Sequence, residues 1–188
     1  RGGDFLYSEM EIRTMLKDIE IARKLGADGV VFGCLTADGE VDLTSMQILM
    51  EASKGLSVTF HRAFDVCRNP QKALEEIIEL GCNRILTSGQ QPTAEQGIGL
   101  LKELQGLAAG RITLLAGCGV NENNIARIAA GTGINEFHFS ARESIQSEMK
   151  FRNEVVSMGG TVHINEYERN VTSVRRVKET VEALYKGM

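Results

Sequence analysis

The sequence predicts an α/β fold, a parallel (β/α)8 barrel of the TIM type whose first strands are missing from this chain. Glycines at positions 26, 55, 81, 110 and 133 follow predicted helices, and an apolar strand follows each of them. The junctions also resemble one another, as in Leu25–Val30, Leu80–Ile85 and Thr132–Phe137. This alternation favours a parallel sheet. A doubly wound open sheet is the weaker alternative, because no Gly-x-Gly-x-x-Gly follows a first strand.

Five strands are predicted, at residues 29–35, 56–61, 84–89, 111–117 and 136–140. Helices are predicted where a capping residue precedes an apolar stripe, after Ser8, Asp42, Asn69, Thr93 and Asn121, with a last helix around Val174 to Tyr185. Pro70 at the first helical position makes Asn69 the best-placed helix start. The residues between the last strand and the last helix, with His163 and Tyr167, are expected to be a polar connection.

The number of strands sets the predicted extent of the domain. A closed barrel needs eight strands, so we expect roughly 60 preceding residues that this sequence does not contain. No linker or shift in composition interrupts the chain, so residues 1–188 are predicted to belong to a single domain.

The bulk composition excludes several classes of protein. The 188 residues carry 21 Lys and Arg against 25 Asp and Glu, without a basic block, so nucleic acid is not an expected partner. No apolar run approaches the roughly 20 residues of a membrane helix, so no membrane association is expected. The four cysteines lie far apart in sequence, which favours reduced thiols in a cytoplasmic protein.

The chemistry is predicted to lie where the strands end. Thr59 and His61 share one face of the second strand, and Arg62 and Asp65 follow it directly. His61 is the candidate general acid or base, and Arg62 the candidate clamp for a carboxylate or phosphate. Asp65 would hold Arg62 or orient His61, and His138 would join them from the last strand. The alternative is an Arg–Asp pair that fixes a loop beside a core histidine.

A predicted anion-binding region lies beside these candidates. Gly117 and Gly119 follow the seventh strand of the barrel count, and Ser140 follows the eighth, where such barrels often bind phosphate. Ser88 and Gly89 are assigned to the same region. The alternative is a tight turn that requires glycine.

Two further groups complete the predictions from the residues. Arg84, Arg111 and Glu136 begin their strands, so we expect a structural ion cluster at the lower end of the barrel. Cys34 and Cys118 lie near strand carboxyl ends and are candidate ligands for a soft metal such as copper(I), although free cysteines usually just pack in the core.

Several motifs resemble those of the CutC family. They are Arg1-Gly2-Gly3-Asp4-Phe5 with Tyr7-Ser8, Val58-Thr59-Phe60-His61-Arg62-Ala63-Phe64-Asp65, Leu86-Thr87-Ser88-Gly89 and Phe137-His138-Phe139-Ser140-Ala141. The resemblance implies a cytoplasmic βα barrel, commonly a homo-oligomer (dimer or higher), named for copper homeostasis and proposed to bind Cu(I). It also implies that two βα units and a further strand precede Arg1, and with them the family's early cysteines.

Two functions therefore remain open from the sequence. One is a copper-homeostasis protein whose partner is the copper ion. The other is an enzyme that acts on a small anionic or phosphorylated metabolite at the barrel mouth, served by His61, Arg62, Asp65 and the Gly117–Gly119 loop.

Overall fold

The computed structural model describes residues 2–162 and 164–186, which contain a five-stranded parallel sheet. Its strands are β1 (Gly29–Phe32), β2 (Ser57–Phe60), β3 (Arg84–Thr87), β4 (Thr113–Gly117) and β5 (Glu136–His138). They pair in sequence order, each parallel to the next. Consecutive parallel strands joined by helices are the arrangement of a TIM-type barrel, so the predicted fold class is confirmed for these five strands.

Six α-helices surround this sheet in the described residues. They are α1 (Glu9–Lys24), α2 (Leu43–Ala52), α3 (Pro70–Glu79), α4 (Ile98–Ala108), α5 (Ile125–Thr132) and α6 (Val174–Lys186). The capping box at Ser8 forms in both directions with Glu11, and Asn69 caps α3 ahead of Pro70, as predicted. None of these helices is long and apolar enough to cross a membrane.

Two helices begin later than the sequence pattern predicts. Thr93 caps a turn rather than α4, since its hydroxyl accepts the N–H of Gln96 at 3.3 Å and the helix starts only at Ile98. Asn121 likewise opens a turn, because its side chain accepts the Asn123 N–H, and α5 starts at Ile125. In both places a capping residue stabilises a short turn before the helix.

The core lies between the sheet and its helices. Phe60, Ile85 and Leu114 lie beside one another in the register of three neighbouring strands, and all three are almost completely buried on this side. The other face carries Thr59, Arg84 and Thr113, which lie beside one another in the register, and it corresponds to the interior of a barrel.

The first strand is less buried than its apolar sequence suggests. It ends at Phe32, not Leu35, and Val31 is 60% exposed. Within the described residues β1 pairs only with β2 in the sheet, so its other edge has no neighbouring strand and Val31 has little to pack against.

The predicted lower ion cluster is correct for two of its three residues. Arg84 binds Glu136 at 2.6 Å across the sheet and also donates to the Ser57 hydroxyl. Arg111 does not join them. It lies outside the sheet and forms a two-pronged ion pair with Glu75 of α3, because β4 begins two residues after it.

A β-hairpin replaces the predicted polar connection after the sheet. Strands β6 (Arg142–Gln146) and β7 (Glu168–Thr172) pair in antiparallel fashion, and α6 follows. Helix α6 is attached to the loop before α5 through Arg176 and Glu122, at 3.0 Å. Tyr167 lies just before β7, and His163 lies outside the described residues.

Candidate functional site

The end of β2 brings two of the predicted residues to the barrel mouth. The strand ends at Phe60, and His61 caps a short 3₁₀-helix of residues Arg62–Val66. The chain therefore turns immediately after His61, so Arg62 does not continue the alternation of the strand. This turn is the condition under which Arg62 and His61 can both serve one site.

Asp65 is the residue around which this end of the sheet is organised. Its carboxylate accepts hydrogen bonds from the Thr87 hydroxyl at 2.6 Å and from the Ser88 N–H at 2.9 Å. It also accepts from Arg62 Nε at 2.6 Å, and its side chain is only 5% exposed. Since these donors occupy both oxygens, Asp65 positions Arg62 and attaches the 3₁₀-helix to the end of β3.

Arg62 is a fixed cation with one side open to solvent. Its Nε binds Asp65 and its Nη2 donates to the Ser88 hydroxyl at 3.3 Å. The hydrogen bond to Asp65 raises the pKa of the guanidinium further, so Arg62 is charged at any physiological pH. The side chain is 43% exposed, and Nη1 has no acceptor among the described residues. The guanidinium thus keeps a donor for an anion.

His61 is neutral and has one ring nitrogen already bonded. Its Nδ1 accepts the N–H of Ala63 at 3.3 Å, and its ring lies 4.8 Å from that of Phe5. Burial lowers the pKa of the imidazole. The hydrogen bond to Nδ1 assigns the proton to Nε2, so His61 offers an N–H donor and not a free basic nitrogen.

Ser88 and Gly89 use their polar groups within the protein. The Ser88 hydroxyl donates to the Gln91 carbonyl at 2.6 Å, and its N–H binds Asp65. The Gly89 N–H donates to the Thr87 hydroxyl at 2.9 Å. The polar groups of these two residues therefore stabilise the loop after β3 and are not free to bind an anion. Ser88 acts on the site indirectly, because its hydroxyl helps to position Arg62.

The loop after β4 has backbone amides that remain available. Cys118 and Gly119 are both left-handed, with φ of 80° and 73°. Their carbonyls accept hydrogen bonds from Ala94 and from the Asn121 and Asn124 side chains. For their N–H groups no acceptor is found among the described residues. These two adjacent amides therefore remain available as hydrogen-bond donors to an anion.

The last strand contributes less than predicted to a common site. His138 ends β5 and is exposed, lying beside Gly117 in the register, and Ser140 is exposed after it. In the part of the chain that the structure describes, no ring contact joins His138 to His61. The contacts unite Arg62, Asp65 and Ser88, and they do not include His138.

Thr87 is a site residue that the sequence analysis missed. It is completely buried and connects Asp65 to Gly89 by donating to one and accepting from the other. The sequence feature that could have identified Thr87 is its position as the last residue of a strand, directly before Ser88-Gly89.

All four cysteines are free thiols. Cys34 is fully buried, and burial raises its pKa to about 12. Cys118 is partly exposed and donates to the Pro92 carbonyl at 3.0 Å. The structure records no contact between these two thiols. Within residues 2–162 and 164–186 there is no cluster of three or more His, Cys, Asp or Glu side chains able to hold a metal ion.

Comparisons with known proteins identify relatives over most of this chain. The model of the CutC family matches residues 1–143. A CutC family protein from Bacteroides thetaiotaomicron is 77% identical over 184 residues, which cover 98% of this chain and 74% of that protein. The human copper homeostasis protein cutC homolog is 47% identical over 188 residues, all of this chain and 68% of that protein.

Solved structures agree with these matches. The crystal structure of the putative copper homeostasis protein CutC from Streptococcus agalactiae superimposes with a TM-score of 0.71 at 34% identity, over 73% of this chain and 68% of that one. A mandelate oxidase reaches a TM-score of 0.52 at 13% identity, which is a likeness of fold alone.

Proposed function

This chain belongs to the CutC family, whose named role is copper homeostasis, and from that premise we propose that it binds and handles Cu(I) through its thiols. The observation that carries this proposal is that all four cysteines are free, since thiolate sulfur is the ligand that Cu(I) prefers. Free thiols also suit a cytoplasmic location. On the basis of the family resemblance we also propose that the protein forms a homo-oligomer of two or more subunits.

At the barrel mouth, Cys34 and Cys118 could each supply one sulfur ligand to a copper ion, and the structure does not bring the two together. Cys34 is completely buried and its thiol has no hydrogen-bond partner among the described residues, and the Cys118 thiol donates to the Pro92 carbonyl. Cys34 and Cys118 are thus candidate ligands that would need a rearrangement, or a donor from beyond the described residues, to complete a site.

The copper proposal is tested by Cu(I) titration without oxygen. We expect the full-length protein to take at least one Cu(I) per chain from a chromogenic chelator. A variant with all four cysteines replaced should not compete, with circular dichroism to verify its fold. X-ray absorption of the wild-type complex should show sulfur at roughly 2.3 Å from copper. A wild-type protein that takes no Cu(I), or binds it through nitrogen and oxygen alone, contradicts the proposal.

A second function is favoured by one specific observation, the anchored guanidinium of Arg62. Asp65 and Ser88 fix its direction while Nη1 stays unpaired among the described residues, and free amides of the loop after β4 belong to the same end of the sheet. We propose that this mouth binds a small anion, a phosphate or carboxylate, with His61 supplying an N–H donor. In an enzyme, the bound anion would be part of the substrate.

Arg62→Gln should weaken this anion binding. Loss of a charged hydrogen bond of about 1.5–3 kcal/mol corresponds to a decrease in affinity of roughly tenfold to a hundredfold. The measurement is the saturable rise in melting temperature of the full-length protein with inorganic phosphate. Arg127→Gln serves as a control, because Arg127 is an exposed arginine paired with Glu95. If phosphate raises the melting temperature of Arg62→Gln as much as that of wild type, Arg62 does not bind the anion.

A further inference from the structure

The loop between β6 and β7, residues 147–167, exposes a group of large apolar side chains. Seven of them, among its described residues, are about half or more exposed: Met149, Phe151, Val155, Val156, Met158, Val162 and Ile164. Phe151 is 77% exposed and Val155 is 94% exposed. Single apolar side chains are common on protein surfaces, whereas a group of this size within one loop marks a binding surface.

Hydrogen bonds fold this loop back on itself and bring apolar side chains from its two halves together. The Tyr167 hydroxyl accepts the N–H of Asn153 at 2.5 Å, and the Arg152 guanidinium lies 5.1 Å from the centre of the Tyr167 ring. Between the two halves is an open cavity of about 300 Å³. Three of the apolar side chains line it: Val155, Val156 and Ile164. The loop therefore presents a shaped apolar surface.

The hairpin that carries this loop does not pack on the core in the part of the chain that the structure describes. The core and the side chains packed against it include no described residue from 142–172. Strands β6 and β7 form a sheet of two strands, with no third strand among the described residues. A two-stranded hairpin without a packing partner is marginally stable in water. A surface that covers the loop would therefore also stabilise the hairpin.

We propose that the loop between β6 and β7 is the surface through which two copies of this chain associate. The proposal rests on the homo-oligomer proposed above and gives its interface a position. It is independent of the copper function and of the anion site, because it uses none of the cysteines and none of the residues around Arg62.

The size of the apolar surface suits an interface between two protein chains. Each partner in a standard interface buries roughly 800 Å², of which about 60% is apolar. Seven large side chains exposed by half or more offer several hundred Å² of apolar surface, which is of the same order. The polar residues that alternate with them supply the rim that such an interface needs.

The charges of the loop favour a second copy of the chain over a strongly charged partner. Lys150 and Arg152 lie between two carboxylates, Glu148 and Glu154. A surface with both signs of charge can be complementary to itself, as a two-fold interface requires. A strongly acidic partner would meet the carboxylates, and a strongly basic one would meet Lys150 and Arg152.

The experiment is sedimentation of the full-length protein over a range of concentrations. We expect wild type to associate, and Phe151→Glu/Val155→Glu to raise the dissociation constant about a hundredfold or more. Each substitution occurs twice in a two-fold interface and places an unpaired charge in its apolar part. Because both side chains are exposed within the chain, circular dichroism should show an unchanged fold.

The matched control adds the same two charges on another surface. Met10 and Leu25, at the two ends of α1, are 78% and 82% exposed. Met10→Glu/Leu25→Glu should keep the dissociation constant of wild type. A photo-crosslinking amino acid in place of Phe151 should yield a covalent dimer, and the same amino acid in place of Met10 should not.

Three outcomes would overturn the proposal, and each has a different meaning. If the Phe151→Glu/Val155→Glu variant associates as strongly as wild type, the homo-oligomer stands and its interface lies elsewhere. If the control variant dissociates to the same extent, the effect is one of added charge and not of this loop. If wild type sediments as a monomer at every concentration, the homo-oligomer itself fails, and another part of the full-length chain or another protein covers the loop.

Discussion

Gly97→Ala is expected to lower the free energy of unfolding by about 3 kcal/mol or more, because a side chain has no room at this position. A Cβ on Gly97 would lie 1.9 Å from the Ser88 carbonyl oxygen and 3.0 Å from the Gly89 Cα. Both contacts are with backbone, so no side chain can rotate away. The loop that holds Arg62 and Asp65 must then move, and chemical denaturation measures the cost.

Gly106→Ala provides the matched control on the same helix. A Cβ there meets nothing within 4 Å, and alanine is favoured over glycine inside a helix by about 0.5–1 kcal/mol. We therefore expect opposite signs, with Gly106→Ala stabilising the protein. Equal effects of the two substitutions would mean that the close approach of Gly97 to Ser88 does not limit stability.

Asp65→Ala should also destabilise the protein, by about 3 kcal/mol. The change leaves the buried Thr87 hydroxyl and the Ser88 amide without their acceptor. The ion pair with Arg62 contributes less, because that guanidinium is partly exposed and screened by solvent. The measurement is urea denaturation, together with phosphate binding, which should weaken as Arg62 loses its orientation.

Asp38→Ala is the control for Asp65→Ala, because it removes a carboxylate charge without removing a buried hydrogen-bond acceptor. Asp38 is 83% exposed and lies 3.9 Å from Arg68, so its removal should change stability by less than about 0.5 kcal/mol. Asp65→Asn keeps one carbonyl oxygen as an acceptor and should fall between wild type and Asp65→Ala. If Asp65→Ala is as stable as Asp38→Ala, the carboxylate does not organise this end of the sheet.

Local rules explain why much of the fold could be predicted. The capping box at Ser8 and the Asn69-Pro70 helix start act over three or four residues, and the structure forms both. All five strands were found because a helix, a glycine and a strand recur along the chain, so each glycine marks where a strand follows. The starts of α4 and α5 were missed because Thr93 and Asn121 make the same hydrogen bonds in a turn as at a helix start.

Long-range contacts explain most of what the sequence could not predict. The hairpin of β6 and β7 joins segments separated by 21 residues, and neither strand is apolar enough to signal burial. Cys82 could be placed at the lower end of the barrel from its position, but its contact with Met50, 32 residues away, could not. The role of Asp65 could not be decided from the sequence for the same reason, because it depends on the hydrogen bonds that Asp65 accepts from Thr87 and Ser88, which are distant in sequence.

Within the described residues, the edge of β1 that faces away from β2 has a consequence for how this sheet can be extended. In the described residues this strand presents a row of backbone groups with Val31 60% exposed beside them. Its four residues, Gly29–Phe32, include neither lysine nor proline, the residues that usually protect an edge strand. Such an edge is a template for strand addition, so among the described residues β1 is the place where a further strand of the sheet could pair.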